Sequence, residues 1–276
     1  MGTADVLDIW VNVVTPRSAS DFTSQEGYEH VAGYLGATST GGNPIDALLA
    51  RMDELGVATG ITCPGMQGDG VEKALELAEA HPGRLLVAAG ITDPAHPTRN
   101  VKHLRELAGN PRLAMARVMP LFTQVPTNDP LHFPVYAACE ELGLPVAINV
   151  GIPGPRVRSR VQHPELLEDV MIAFPDLVII GAHMGHPYEE LLMNYMRKWD
   201  NLYLSCTAYA PNYFDPALVK FMNSKTYRGR VLWGSDDPWF PMERSITEAR
   251  NVALDEEAMA LFLGGTARRL LDRTTR

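Results

Sequence analysis

The 276-residue sequence is short of several things, and each shortage excludes something. It has three cysteines, Cys63, Cys139 and Cys206, an odd number without close spacing. That argues against a disulfide framework and for reduced thiols in a cytoplasmic protein. Cys63 and Cys206 fall in apolar strand-like runs, where packing is the better reading than reactivity. Basic runs are missing and the formal net charge is −9, which removes nucleic acid as a partner. A local arginine pocket can still hold a small anion against that global charge. No apolar stretch is long enough to span a membrane, and the N-terminal MGTADVLD lacks the basic-then-apolar pattern of a signal peptide. No membrane partner is expected. A Gly-x-Gly-x-x-Gly after the first strand run is also lacking, which removes the main nucleotide signal of a doubly wound sheet.

What is present is alternation. Short apolar runs at 6–14, 58–64, 85–91, 113–120, 145–151, 177–184, 202–208 and 230–236 are hydrophobic on both faces, as buried parallel strands are. Amphipathic stretches lie between them. IDALLARMDELG (45–56) sets Leu48, Leu49, Met52 and Leu55 on one stripe and stops at a glycine. VEKALELAEAHPG (71–83), VYAACEELG (135–143) and PELLEDVMIAFP (164–175) behave likewise, and 256–273 reads as a closing helix pair broken at Gly264 and Gly265. Eight strand–helix units in a chain of this size predict an α/β (β/α)₈ TIM barrel. No linker divides it, so residues 1–276 are expected to be one domain. Residues 15–43, rich in Ser, Thr and Gly, read as a long binding or lid loop after strand 1.

In such a barrel the chemistry sits at the C-terminal ends of the strands. Strand 1 carries Asp8, Trp10 and Asn12 in VLDIWVNVV, alternate positions that share one side of a regular strand. Strand 4 carries Arg117, and strand 5 ends in Asn149 before a loop with Arg156 and Arg158. Strand 6 ends in GAHMGHP with His183 and His186, strand 8 in WGSDDPW with Asp236, Asp237 and Trp239. A single buried histidine is more often a core residue, and an Asp before Asp-Pro is often a turn residue. The joint placement of these groups at one rim is what points to a functional cluster.

These residues resemble the amidohydrolase-related barrels, in the branch that includes aminocarboxymuconate-semialdehyde decarboxylase and resorcylate-type decarboxylases. The resemblance covers nearly the whole chain, including the tail FLGGTARRLL, where Thr266 stands in place of the usual asparagine. It implies an Asp/Glu-x-His-x-His on strand 1, a third ligand histidine on strand 5, an acid–base histidine on strand 6 and a ligand aspartate on strand 8. Matched position by position, those histidine ligands fall on Trp10, Asn12 and Asn149, whereas His183 and Asp236 keep the family's residue. The acid–base pair is retained and the imidazole ligands are gone. Zinc is poorly served by neutral amides, so no metal and no other cofactor is expected. A hard ion on Asp8, Asp236 and amide oxygens is the lesser alternative.

The expected partner is therefore a small-molecule substrate, with self-association into a homo-oligomer left open. The main expectation is a metal-independent hydrolase of a carboxylated cyclic or acyl compound such as a lactone, diketone or thioester. In it His183 is general base and Asp236 its orienting group or a proton donor. Asn12 and Asn149 would donate to a developing oxyanion. Arg117, or Arg156 of the strand-5 loop, would bind a carboxylate through forked hydrogen bonds. Asp8, Trp10 and Trp239 would line the cavity. Two rivals stand beside it: a carbon–carbon lyase that decarboxylates an aromatic or enoic acid, and a non-catalytic binding barrel.

Overall fold

The computed structural model describes residues 6–14, 20, 24–29, 31, 42–64 and 70–272, so most of the 15–43 segment lies outside the described residues. The expected strand–helix alternation is present. Strands β1 (Val6–Val11), β2 (Val57–Thr62), β3 (Leu85–Ile91), β4 (Leu113–Val118), β5 (Val146–Asn149), β6 (Ile179–Ala182), β7 (Leu202–Ser205) and β8 (Val231–Leu232) form one sheet in sequential order. All neighbouring pairs are parallel. Beyond β8 the chain bonds back to β1. Asp236 N–H donates to the Trp10 carbonyl at 2.8 Å and Asn12 N–H to the Asp237 carbonyl at 2.8 Å. The result is a (β/α)₈ TIM barrel.

The outer helices include α1 (Ile45–Leu55), α2 (Gly70–Ala80), α3 (Pro97–Leu107), α4 (Phe133–Glu141), α5 (Leu166–Ala173), α6 (Glu189–Lys198), α7 (Pro216–Met222) and α8 (Met242–Arg250). The closing pair is α9 (Glu256–Ala260) and α10 (Thr266–Asp272), separated by a wide turn over Leu261–Gly265 that contains the two expected break glycines. Of these, α3 is poorly announced by its sequence, since PTRNVKHLREL buries only Leu104. The last strand is also much shorter than its apolar run: after Leu232 the chain turns away to build the rim. Hydrophobic pattern alone cannot separate a strand from a buried rim segment.

Two hydrophobic layers result. Val146, Ile148, Ile179, Leu202 and Leu204 face the helices. Leu7, Ile9, Trp10, Met115, Ala147, Ile180, Ala182 and Leu232 fill the barrel interior, with Ala267 and Leu270 of α10 joining them. A void of about 10 Å³ inside the barrel is lined by Ile9, Ile61, Met115, Ile180 and Leu232, too small and apolar for an ordered water.

Candidate active site

The rim begins with an irregularity in β1. Pairing with β2 shifts register between Asp8 and Val11, the signature of a bulge. Its cause lies in the sequence: Oδ1 of Asp8 accepts the Trp10 N–H at 3.0 Å, so a short side chain competes with the strand for a backbone donor. The slip turns Trp10 into the interior, and the regular alternation of Asp8, Trp10 and Asn12 on one side does not hold. Asp8 instead faces the seam between β1 and β8. There its Oδ1 accepts Ser235 N–H at 2.9 Å and its Oδ2 accepts the Ser235 hydroxyl at 2.5 Å. This carboxyl is fully buried, pushed up to about 7 by desolvation against those hydrogen bonds. Its place is a tie across the seam rather than a lining of the mouth.

A second bulge, in β4, turns Arg117 inward. The β3–β4 register jumps between Val87/Leu113 and Ala88/Met115, after which Met115 and Arg117 share the interior side. The Arg117 guanidinium lies over the Trp10 ring, 7% exposed, with the Cys63 thiol as a hydrogen-bonding neighbour. Its Nε is buried without a partner.

Asn149, at the end of β5, is buried, and its Oδ1 has no hydrogen-bond partner. One strand further, His183 begins a tight turn after β6 with φ +62. Its Nδ1 lies 3.0 Å from the Thr207 carbonyl and its backbone N–H donates to the Thr207 hydroxyl at 3.1 Å. A neutral imidazole held this way donates from Nδ1 and keeps Nε2 as an acceptor. Desolvation and the neighbouring Arg117 push His183 down to about 4. The Trp10 indole meets the imidazole edge-on at 5.0 Å between ring centres.

Asp236 follows β8 at φ +70, 8% exposed. Its Oδ1 accepts from Asn12 Nδ2 at 2.8 Å. The Trp10 indole N–H lies beside the same carboxyl and lowers its pKa, but makes no hydrogen bond within normal geometry. Burial pushes Asp236 up to about 7, with Arg117 and Asn12 pulling the other way.

The structure thus brings Trp10, Asn12, Arg117, Asn149, His183 and Asp236 to one mouth. It does not bring Asp236 onto the imidazole: the group that orients His183 is Thr207, a strand-end threonine with no sequence signal of its own. Arg156 is exposed, with its backbone N–H donating to the Gly27 carbonyl at 2.7 Å, and Arg158 is exposed too. Trp239 is half-buried in the turn that follows Asp236. Asp237 is structural, accepting from Asn43 Nδ2 at 2.8 Å and Arg51 Nη2 at 2.7 Å. Trp233 is core, its indole donating to Ser245 at 3.0 Å. All three cysteines are buried and free.

A divalent metal does not fit this donor set. Among the described residues no three His, Cys, Asp or Glu side chains are grouped to hold one. Asn12 turns its amide nitrogen to Asp236, and a guanidinium occupies the neighbouring space on Trp10. A cation beside it would be repelled.

A family model described as amidohydrolase matches residues 8–273. No curated protein sequence matches the chain. Solved structures share the fold at low identity. A TIM-barrel protein of Bordetella bronchiseptica aligns with TM-score 0.80 at 21% identity, over 98% of this chain and 99% of that one. The 5-carboxyvanillate decarboxylase of Sphingomonas paucimobilis gives 0.76 at 17%, over 98% and 99%. The same-named enzyme of Novosphingobium aromaticivorans, in complex with manganese and 4-hydroxy-3-methoxy-5-nitrobenzoic acid, gives 0.75 at 14%, over 97% and 96%.

Proposed function

Since the chain belongs to the amidohydrolase family, we propose that it is a carbon–carbon lyase that decarboxylates a hydroxylated aromatic or enoic acid, with Asp236 as the proton donor. The observation that carries this reading is the contrast at the mouth: a buried Asp236 carboxyl, held by Asn12, is raised to about 7, and a half-buried His183 imidazole, held by Thr207, is lowered to about 4. Environments that push two titratable groups apart in this way assign acid and base roles. Near neutrality Asp236 keeps a proton to give, whereas His183 is neutral and a weak base for activating water. This favours proton delivery over the hydrolytic reading of the sequence, in which His183 was the base. The decarboxylases that share the fold point the same way.

The step is a proton transfer to carbon. The Asp236 carboxyl gives its proton to the carboxylated carbon, the bond from that carbon to the carboxylate breaks, and carbon dioxide leaves. The new carbon–hydrogen bond takes its electron pair from the ring or enol π system, and the pair of the broken carbon–carbon bond flows back to restore that conjugation. Asp236, now a carboxylate, regains a proton from solvent. His183 Nε2, fixed as an acceptor by Thr207, takes a hydrogen bond from a substrate hydroxyl and orients it. Asn12 holds the Asp236 carboxyl in place.

The test is a panel of hydroxybenzoic and enoic acids incubated in heavy water. The expected result is carbon dioxide release with one deuterium placed on the carbon that lost it, abolished in Asp236→Asn. Hydrolysis of lactones or thioesters with no carbon dioxide from any acid would refute it.

A further inference from the structure

We propose that the Arg117 guanidinium, laid on the Trp10 indole, is a built-in cation that receives an anionic oxygen of the substrate where the family resemblance implies a metal. This rests on the reading of the mouth as the substrate site and goes further, by naming what binds the charge.

Four observations converge. First, the resemblance places ligand histidines at Trp10, Asn12 and Asn149, and none of these side chains here can serve a divalent ion as imidazole does. Second, Arg117 is only 7% exposed, yet among the described residues no carboxylate forms an ion pair with it, and Asp236 acts on it only as a neighbouring charge. Buried charges are ordinarily paired, because loss of hydration is costly. The Trp10 face and the Cys63 thiol compensate only in part, and a planar cation over an aromatic face keeps its in-plane N–H groups free for another partner. Third, its Nε–H is unpartnered and buried. Fourth, the adjacent strand supplies a matching vacancy for a donor. Arg117 pairs in register with Ala147, and Asn149, two residues on and facing the same interior, has a buried Oδ1 with no partner.

The centre therefore asks for a ligand that carries an anionic oxygen beside a hydrogen-bond donor. A guanidinium differs from a metal in what it can do. It neutralises an oxyanion and fixes its plane through paired N–H donors, but it does not acidify a bound water as a metal does. That difference agrees with a site where protons come from a carboxyl rather than from metal-bound water.

The experiment uses the intact protein with excess EDTA and titrates sodium benzoate calorimetrically, then benzamide, its neutral counterpart. Benzoate should bind in the presence of EDTA and at least tenfold more tightly than benzamide. Arg117→Gln, checked for folding by circular dichroism, should lose at least tenfold in benzoate affinity, and Arg117→Lys most of that, since the planar fork is lost. Manganese added to the EDTA-free protein should remain free by electron paramagnetic resonance. Equal affinities for benzoate and benzamide would overturn the proposal, and so would an unchanged Arg117→Gln. Stoichiometric manganese that tightens benzoate binding would overturn it too. The comparison of the two ligands on the wild-type protein stands even if the variant fails to fold. Because it involves no turnover, benzoate bound at Arg117 by a protein that releases no carbon dioxide would sink the lyase reading alone.

Discussion

Asn12 Nδ2 donates to Asp236 Oδ1 at 2.8 Å, and the same amide lies 3.2 Å from the Asp237 carbonyl, so one β1 side chain pins the turn after β8. The contact spans 224 residues of sequence and fixes the carboxyl that faces the mouth. Replacing Asn12 by leucine removes a donor to a partly charged acceptor, a loss of about 1.5–3 kcal/mol. Carbon dioxide release should fall by about ten- to a hundredfold. The alkaline limb of the rate profile should also move to higher pH, because the lost hydrogen bond was lowering the Asp236 pKa. A lower rate with an unmoved profile would mean Asn12 acts elsewhere.

The pH dependence follows from the two shifted groups. Asp236 must be protonated to give its proton, so activity falls as pH rises through about 7. His183 must be neutral to accept a hydrogen bond, so activity falls as pH drops through about 4. A plateau between those limits is expected in kcat/KM measured by carbon dioxide release. A profile that instead rises through pH 7 would assign the reaction to a base.

Asp8 should matter for folding and not for chemistry. Asp8→Ala strands Trp10 N–H, Ser235 N–H and the Ser235 hydroxyl without their acceptor. The cost should be about 2–5 kcal/mol in urea unfolding. The raised pKa adds a pH signature. The folded chain holds the Asp8 proton more tightly than the unfolded chain, so that contribution is complete below 3.8 and is lost as pH climbs through about 7. Asp8→Asn should flatten this part of the stability profile, which urea midpoints at pH 5 to 8 will read.

Gly151 and Gly83 both have positive φ, +91 and +79, but only one is crowded. A Cβ at Gly151 would lie 2.5 Å from the Gly185 carbonyl carbon and 2.5 Å from the His186 carbonyl oxygen, whereas a Cβ at Gly83 meets nothing within 4 Å. Gly83→Ala should therefore cost only the backbone strain, about 1–2 kcal/mol. Gly151→Ala adds overpacking of about 1–3 kcal/mol more. It should also displace the loop between Asn149 and the His183 turn. Thermal unfolding of the two variants separates the terms.

The sequence by itself determined the barrel and which residues its rim would offer. Apolar runs buried on both faces can pair only as covered parallel strands, and a barrel of them gathers strand ends at one mouth whatever lies between. Trp10, Asn12, Arg117, Asn149, His183 and Asp236 were legible for that reason. Only the tertiary structure decided where each side chain points and what it meets. Strand alternation predicts Asp8 beside Trp10, yet a bulge held by the Asp8 carboxylate itself reverses the pairing, and a one-residue slip exchanges the two faces of a strand. Thr207 as the orienting partner of His183, and Arg117 on the Trp10 face, are contacts between distant strands with no local pattern. The shifted acidities follow from those contacts, because burial and neighbouring charge are properties of the folded interior and not of the chain.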